Sequence, residues 1–577
     1  MTNNTNIVVL KFGSSVLRSE DDLPTAVHEI YRYWREGAQV IVVASAFGNT
    51  TDELIRRAER VCERPHQSVL PNLLATGEAT SSALLTLALN RAGLAAKLLD
   101  EVQIGLRTVG GGTDAVPVAV NKTRLLNELR HAIVVLPGFV GRDDRGDKTV
   151  MGRGGSDLTA LFLAHQLTAR CILIKDVDGL YTNDPAGLAP QSLRFAQVSY
   201  DTAIRRGGRL VQTKALRFAA ANRLQFSIGS IGAPQATEIG PLADRLDVSN
   251  LTPQPTRVTL LGCGTVGGGI YQRLAALPQH FELVGVGALT LNHTRELGVP
   301  EHLASTDIAE LLRRECDVVV ELTGATEYAS AMVELALKGG RHVVTANKAM
   351  IAGSGDRLLN LASVCGVTIR YSAAVGGVLP ALETIRRAQT IGPVKSFAGI
   401  VNATANYILD RLEAGGDLAQ AIKAAQEAGY AEADPRLDLN GTDAAQKLTL
   451  LAREAFGVSL PLDQIHRVGI ENIEGQLRKA RAGGNVVRLV AECTRTEKGI
   501  RARVEPVELR PDHPLAQVAG AGNRLIVELE HGEQLVVSGT GAGRWPTTES
   551  VMADLFELKR QQLTNRSEKL EALEVCA

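Results

Sequence analysis

The chain has 577 residues, with a formal net charge of −1, 45% hydrophobic and 22% charged residues. That length exceeds what one hydrophobic core supports and implies at least two domains, while the balanced charge, with no basic block outside ordinary helix faces, excludes a nucleic-acid footprint and favours small metabolites as partners. Seven scattered cysteines (Cys62, Cys171, Cys263, Cys316, Cys365, Cys493 and Cys576) form no CxxC and give an odd total, so neither a disulfide framework nor a zinc site is expected.

The first residues, Met1 to Asn6, lack a basic n-region, and no apolar run approaches the roughly 20 residues that span a bilayer. A soluble, cytoplasmic protein without membrane contact is the expectation. From Ile7 onward short apolar strands (Ile7 to Lys11, Val40 to Ala44, Ala132 to Leu136, Cys171 to Lys175 and Gln225 to Ile228) alternate with amphipathic helices, which predicts a parallel sheet covered by helices. Lys11 ends the first strand and is followed by Gly13, Ser14 and Ser15, small residues that let backbone amides approach a phosphate while the lysine neutralises transferring charge; the alternative is a solvated strand end. In Gly152 to Asp157 the glycines suit an anion loop, Arg153 suits a carboxylate, and Asp157 suits an ammonium or Mg²⁺. A glycine-rich turn with a capping aspartate is the competing reading. This first domain is expected over 1–239, followed by a linker over 240–256 that carries Pro241, Pro253 and Pro255.

A second series of strands and helices starts at Arg257, with strands Val258 to Leu261, Glu282 to Val286, Asp317 to Glu321 and His342 to Thr345. Gly262, Gly264 and Gly267, with Thr265 and Val266 between them, follow an apolar strand and open a helix, the context in which GxGxxG binds a dinucleotide. The next strand ends Val286-Gly287-Ala288, without the acidic residue that accepts ribose hydroxyls or an arginine for a ribose phosphate, so NAD and NADP stay open. This domain is expected over 257–380. A mixed-sheet substrate domain follows over 381–540, with strands Val486 to Glu492, Arg501 to Glu508, Leu525 to Glu530 and Gln534 to Ser538; the family resemblance given below implies that it is also the dimerisation domain. Asp443 and Lys447 share one face of a helix predicted over Thr442 to Phe456, either as a surface ion pair or as part of a site. The carboxylate-dense run Gly429 to Gly441 just before it, with Glu432 and Asp438, favours the site, because like charges need a cationic partner. Lys348, in Thr345-Ala346-Asn347-Lys348, stands at the carboxyl end of a strand, where such sheets place their chemistry. Residues 541–577 are expected to form a helix returning to the dinucleotide-binding domain and a charged tail.

The ordered motifs Lys11-Phe12-Gly13, Ser45 to Asp52, Thr76-Gly77-Glu78, Pro137-Gly138-Phe139, Gly152 to Asp157 and Asp176 to Pro185 resemble the catalytic domain of aspartate kinases, of the amino acid kinase fold, over residues 5–232. The resemblance implies Lys11 on the transferring phosphate of ATP, with Gly13 and Ser14 beside it. It places Thr50, Glu78 and Arg153 around aspartate, with Asp157 in the same cluster. It gives Lys175, Asp176, Asp178, Tyr181 and Asp184 to the adenine and ribose, and Arg209 and Lys214 to the phosphates. The Lys11 to Val16 loop is one residue shorter than in the family, and Ile174-Lys175 stands where Trp-Thr is common. The regulatory ACT domains that usually follow this catalytic domain are not expected between the two halves.

Thr345 to Lys348, Gly429 to Lys447 and Gly539 to Thr547 together look like homoserine dehydrogenase over residues 256–558. That likeness implies a Rossmann domain holding NADP or NAD through Gly262, Gly264, Thr265, Val266, Gly267, Thr323, Asn347 and Gly541. Glu432 and Asp443 would hold the substrate amino group with support from Asp438, and Lys348 and Lys447 would flank the reacting carbonyl. A monovalent cation would lie near Val375 and Gly377, although Ser372 and Val378 replace the family's usual glutamate and glycine, and Ala403 and Ala405 replace glycine and threonine. Kinase first and dehydrogenase second is the order of bifunctional aspartokinase/homoserine dehydrogenases, which use ATP with Mg²⁺ and assemble as dimers or larger. Two alternatives are a silent kinase-like module used for assembly or sensing, and a paralogue acting on related substrates.

Overall fold

Six consecutive buried residues, Ile7–Phe12, form an interior strand of a nine-stranded sheet. The computed structural model describes residues 6–183, 192–208, 210–247 and 254–576, with side chains to 564. Two units divide it, Met1–Pro253 with Leu558–Ala577, and Gln254–Glu557.

In the first unit the strands run, edge to edge, Arg245–Leu246, Phe195–Ser199, Thr237–Gly240, Phe226–Ser230, Arg170–Lys175, Ile7–Phe12, Gln39–Ala44, Ile133–Pro137 and Ala96–Leu98. From Phe226–Ser230 to Ala96–Leu98 every pairing is parallel. Helices cover both faces, so these strands read as continuous apolar runs rather than alternating ones. The expected parallel sheet is corrected at one edge, where Thr237–Gly240 pairs antiparallel with Phe226–Ser230, and Arg245–Leu246 does so with Phe195–Ser199. That last strand lies inside the stretch expected to be linker. A separate four-stranded sheet of Val116–Ala119, Arg107–Val109, Val140–Arg142 and Lys148–Val150 lies outside the predicted strands.

The helix Gly155–Leu167 is buried almost all round. It starts after Gly154, at φ +75°, and stops at Thr168, which takes the left-handed conformation at φ 53°. That ending leaves the Thr168 and Ala169 amides bonded back to Ala164.

The second unit opens with a six-stranded parallel sheet in the order Ala304–Ser305, Phe281–Gly287, Thr256–Leu261, Val318–Glu321, His342–Thr345 and Ile369–Arg370. The order in which strands are added reverses between Thr256–Leu261 and Val318–Glu321, and ligands of such sheets bind in the crevice outside the carboxyl ends at that switch point. The helix Arg544–Cys576 returns to this sheet: the Phe556 ring meets Phe281 edge-on at 4.9 Å, and Glu549 pairs with Arg273 at 3.1 Å. A second six-stranded sheet runs His466–Arg467, Gly499–Leu509, Val486–Thr496, Val394–Ile400, Gly522–Leu529 and Gln534–Thr540. It is antiparallel except where His466–Arg467 pairs parallel with its neighbour. The helix Thr442–Phe456 packs its apolar face into the core shared with this sheet. Among the described residues no helix is long and apolar enough to cross a membrane.

Candidate active sites

In the first unit three charged side chains meet in the interior. The Lys11 ammonium lies 2.8 Å from Asp157 Oδ1, and Lys175 donates to the same carboxylate at 2.9 Å. Two parallel strands bring the lysines to one end of the sheet, Leu173 standing opposite Lys11 in register, while the first turn of Gly155–Leu167 supplies the aspartate. Burial pushes Lys11 down to about 8 against the raising pull of Asp157. Burial also opposes ionisation of Asp157, yet Lys11 and Lys175 hold it below the usual carboxylate range. Two cations around one anion leave a net positive slot, suited to a phosphate. Lys175, expected beside the adenine and ribose, is part of this triad.

Gly13 makes room for it, since a Cβ there would fall 3.0 Å from the Lys11 Nζ. Ser14 is exposed at the same turn. Glu78 is buried within the electrostatic reach of Lys11; burial pushes its carboxyl up to about 7, and its Oε2 has no partner. Thr50 begins the helix Thr50–Val61, and a Cβ on Gly77, the neighbour of Glu78, would sit 3.4 Å from its methyl. Arg153 is exposed on the glycine turn.

The remaining described nucleotide candidates have partners outside the triad or are exposed. Asp178 accepts a 2.6 Å bond from the Tyr181 hydroxyl and faces Arg194, Lys214 donates to Asp114 at 2.6 Å and to the Ala115 and Met151 carbonyls, and Asp176 is exposed. Asp184 and Arg209 lie outside the described residues.

The second unit repeats the motif of two ammonium groups on one carboxylate. Asp443, 4% exposed, receives Lys348 at 2.8 Å on Oδ1 and Lys447 at 2.9 Å on Oδ2. Lys447 also donates to the Val401 carbonyl at 2.8 Å. Asn402 ties Asp443 to Asp438, its Nδ2 donating to both at 2.7 and 2.6 Å, while its Oδ1 caps the helix Ala403–Glu413. Burial raises Asp443, but the two lysines overpower it and hold the carboxyl far below its ordinary value. Asp438 moves up, through burial and then the Asp443 charge. Lys348 moves up, chiefly through Asp443, with Asp438 and the exposed Glu432 adding to the pull. The lysine side chains differ in access, 38% exposed for Lys348 and 9% for Lys447, so Lys348 is the one that faces an incoming molecule.

Strand ends connect this cluster to the glycine loop. Thr345 donates to the fully buried Glu321 at 2.7 Å, Glu321 accepts the Thr323 amide and hydroxyl, and Thr345 accepts the amide of Asn347, which caps the helix bearing Lys348. Gly262 has φ +96°, and a Cβ there would lie 2.6 Å from the Leu322 carbonyl; one on Gly267 would lie 1.9 Å from the Gly262 oxygen. Gly264, in contrast, faces open space at the start of the helix Thr265–Ala275, with Thr265 exposed and Val266 half-buried. The outer two glycines thus permit the fold, and the middle one leaves a cradle that a dinucleotide pyrophosphate fits, at a helix N-terminus. Gly541 presses on the Asn523 amide, where a Cβ would fall 1.9 Å from Nδ2. At the loop considered for a monovalent cation, Val375 is fully buried, Gly377 has φ +52° against the Thr540 carbonyl, and Ser372 donates to Glu383 at 2.7 Å. Among the described residues, no group of three His, Cys, Asp or Glu side chains suits a metal.

Sequence reasoning missed Asn402 and Glu321. An asparagine before a helix signals a cap and conceals its second role; a glutamate closing the apolar strand Val318–Glu321 was the available signal for the other.

Residues 262–372 match the family model for the NAD binding domain of homoserine dehydrogenase, residues 380–556 match that for homoserine dehydrogenase, and residues 6–229 match the amino acid kinase family. The chain is 36% identical over 321 residues to a homoserine dehydrogenase of Corynebacterium glutamicum, covering 53% of this chain and 72% of that one. A homoserine dehydrogenase of Pseudomonas aeruginosa is 36% identical over 318 residues, 53% of this chain and 73% of its own. The crystal structure of a Thiobacillus denitrificans homoserine dehydrogenase aligns with a TM-score of 0.51 and 34% identity, over 54% of this chain and 75% of that one. With the carboxylate and its two lysines beside a dinucleotide cradle, and an amino acid kinase domain ahead of them, this chain belongs to the homoserine dehydrogenase family in its bifunctional, kinase-linked form.

Proposed function

We propose that the first unit phosphorylates the β-carboxylate of L-aspartate with ATP, and that the second interconverts L-aspartate 4-semialdehyde and L-homoserine with NAD or NADP. The observation that carries both assignments is the recurrence, in each unit, of one buried carboxylate holding two lysines. Asp157 favours the charged form of Lys11, and Asp443 that of Lys348, against the opposing effect of burial.

In the kinase, Lys11 and Lys175 offset the charge that spreads over the transferring phosphate, so positioning and electrostatics supply the catalysis. Glu78 in its ionised form receives the substrate ammonium, Arg153 the α-carboxylate, and Thr50 closes the same pocket. Asp157 is already neutralised by its two lysines, and among the described residues no group of three His, Cys, Asp or Glu side chains stands around it to hold Mg²⁺.

In the dehydrogenase, Gly264 and the amides of Thr265 and Val266 fit the dinucleotide pyrophosphate, and Thr323, Asn347 and Gly541 border its nicotinamide end. A nicotinamide dinucleotide bound there supplies or accepts the hydride. Lys348 donates a hydrogen bond to the carbonyl oxygen of the substrate and stabilises the developing alkoxide. Lys447, pinned by Asp443 and Val401, adds positive field from behind, while Glu432 and Asp438 orient the substrate ammonium. No step is assigned to a monovalent cation. We further propose pairing of two copies through the substrate domain, whose edge strand Gln534–Thr540 leaves Val536 48% exposed.

The test is absorbance of the reduced nicotinamide while the protein oxidises L-homoserine with NAD or NADP, beside phosphate transfer from ATP to L-aspartate. Lys348→Ala and Lys447→Ala each lower kcat by about 10²–10³ with dinucleotide affinity retained, and Lys11→Ala abolishes phosphate transfer. Absence of homoserine-dependent signal in the unmutated protein sinks the dehydrogenase assignment. Absence of phosphate transfer leaves the kinase-like unit as an assembly or sensing module.

A further inference from the structure

The strand Val318–Glu321 ends on a buried carboxylate that meets no cation. Glu321 is 0% exposed. Its Oε1 accepts the Thr323 amide at 2.8 Å and the Thr323 hydroxyl at 2.7 Å, and its Oε2 accepts the Thr345 hydroxyl at 2.7 Å. The Thr345 oxygen in turn accepts the Asn347 amide at 3.0 Å, which leaves its hydrogen to point at Glu321. Three donors on two oxygens suit the ionised form. Among the described residues no lysine, arginine or histidine pairs with it, whereas the buried Asp157 and Asp443 each hold two lysines. Tying off the strand end requires only an acceptor, and a neutral amide of the same shape would serve without the cost of burying a charge.

The carboxylate stands where this sheet receives its ligand. Glu321 lies opposite Leu261 on one side and Thr345 on the other, at the carboxyl ends of three neighbouring strands. Leu261 leads into the glycine loop, and that loop rests on the turn after Glu321, since a Cβ on Gly262 would lie 2.6 Å from the Leu322 carbonyl. Thr323 is bonded to Glu321 and Asn347 to Thr345, and these are two of the residues assigned above to the nicotinamide end of the crevice. Just beyond them Gly324 takes φ +74°, and a Cβ there would meet open space.

The oxidised and reduced forms of a nicotinamide dinucleotide differ by one positive charge on the ring and little else. A fixed negative charge beneath that ring, in the protein interior rather than in water, acts on the difference alone. We infer that Glu321 sets the preference of the second unit between the two oxidation states, favouring the oxidised dinucleotide through the field of its carboxylate, while Thr323 and Thr345 hold that carboxylate in its ionised form. The inference rests on the dehydrogenase reading.

The experiment is calorimetric titration of the full chain with NAD and NADH, and with NADP and NADPH, in the absence of homoserine, so that no turnover is read. Glu321→Gln weakens binding of the oxidised form about fivefold or more and leaves that of the reduced form unchanged or tighter, so the ratio of the two dissociation constants moves. Loss of a merely structural tie would weaken both forms alike. Glu321→Asp, which keeps the charge, keeps the ratio within about twofold of the unmutated protein even where both affinities fall. One measurement needs no variant: the unmutated protein binds the oxidised form at least as tightly as the reduced one. A ratio unchanged by Glu321→Gln, or a reduced form that binds the unmutated protein more than about fivefold tighter than the oxidised one, overturns the inference. Failure of both the NAD and the NADP pair to bind the unmutated protein overturns the dinucleotide reading and this inference together.

Discussion

Replacing Asp443 by asparagine keeps the size and most of the acceptor geometry of the side chain and removes its charge. Lys348 and Lys447 lie 2.8 and 2.9 Å from that carboxylate. Lys348, 38% exposed, rehydrates when its partner goes, but Lys447, 9% exposed, keeps only the Val401 carbonyl. One unpaired buried ammonium costs about 3–5 kcal/mol. The folded-state pKa of Asp443 is depressed, so its contribution is full above the unfolded value of 3.8 and is lost as pH falls through the folded value. That of Lys348 is raised, so its contribution is full below 10.5 and is lost as pH rises through the folded value. The gap between unmutated protein and Asp443→Asn is therefore widest from about pH 5 to 10 and narrows on both sides. The chain has two tryptophans, Trp34 in the first unit and Trp545 in the second, so urea unfolding followed by Trp545 fluorescence in a Trp34→Phe background isolates the dehydrogenase. A gap below about 1 kcal/mol at pH 7, or one that does not vary between about pH 3 and 10, refutes the reasoning.

Three further outcomes follow from the same contacts. Gly264→Ala folds normally, because its Cβ enters open space, yet lowers dinucleotide affinity about tenfold or more in fluorescence titration; Gly267→Ala, with its Cβ 1.9 Å from the Gly262 oxygen, unfolds the second unit before any cofactor is added. Glu78 titrates at about 7 in the folded state against 4.5 unfolded, so the folded protein binds the extra proton between those values and loses stability as pH rises through them; Glu78→Gln recovers about 3 kcal/mol of first-unit stability at pH 8, read by Trp34 in a Trp545→Phe background, while phosphorylation falls. Asn402→Ala disconnects Asp438 from Asp443 and raises the homoserine KM more than it lowers kcat, and an equal fall in both kcat and kcat/KM would assign Asn402 to the reaction itself.

The chemistry was more legible in the sequence than the edges of the sheets. Lys11, Asp157, Lys348, Asp443 and Lys447 stand out because charged residues beside apolar runs and glycines have few structural reasons to be there. The pairing of Lys175 with Asp157 was not legible, because a lysine closing an apolar strand does not say what it faces; the register beside Lys11 brings it to that carboxylate. Val394–Ile400 escaped notice because Gly399 reads as a breaker, whereas the structure uses it for close approach, a Cβ there falling 2.6 Å from the Arg524 carbonyl. Arg245–Leu246 is too short for any periodicity to show. Asn402 and Glu321 act by bridging residues far apart in sequence, which spacing does not reveal.

The return of the Arg544–Cys576 helix to the dinucleotide-binding sheet has a consequence for synthesis. Phe281 and Arg273 leave the ribosome early, but Phe556 and Glu549, which cover them, follow some 275 residues later. At about 5–20 residues per second, the first sheet of the dehydrogenase waits tens of seconds with an apolar face bare, exposed to chaperones and to neighbouring chains. The nine-stranded sheet of the first unit, whose strands all come from the first 246 residues, has no such delay. A chain stopped at residue 540 would carry every lysine and carboxylate of both centres and still lack the element that closes the second.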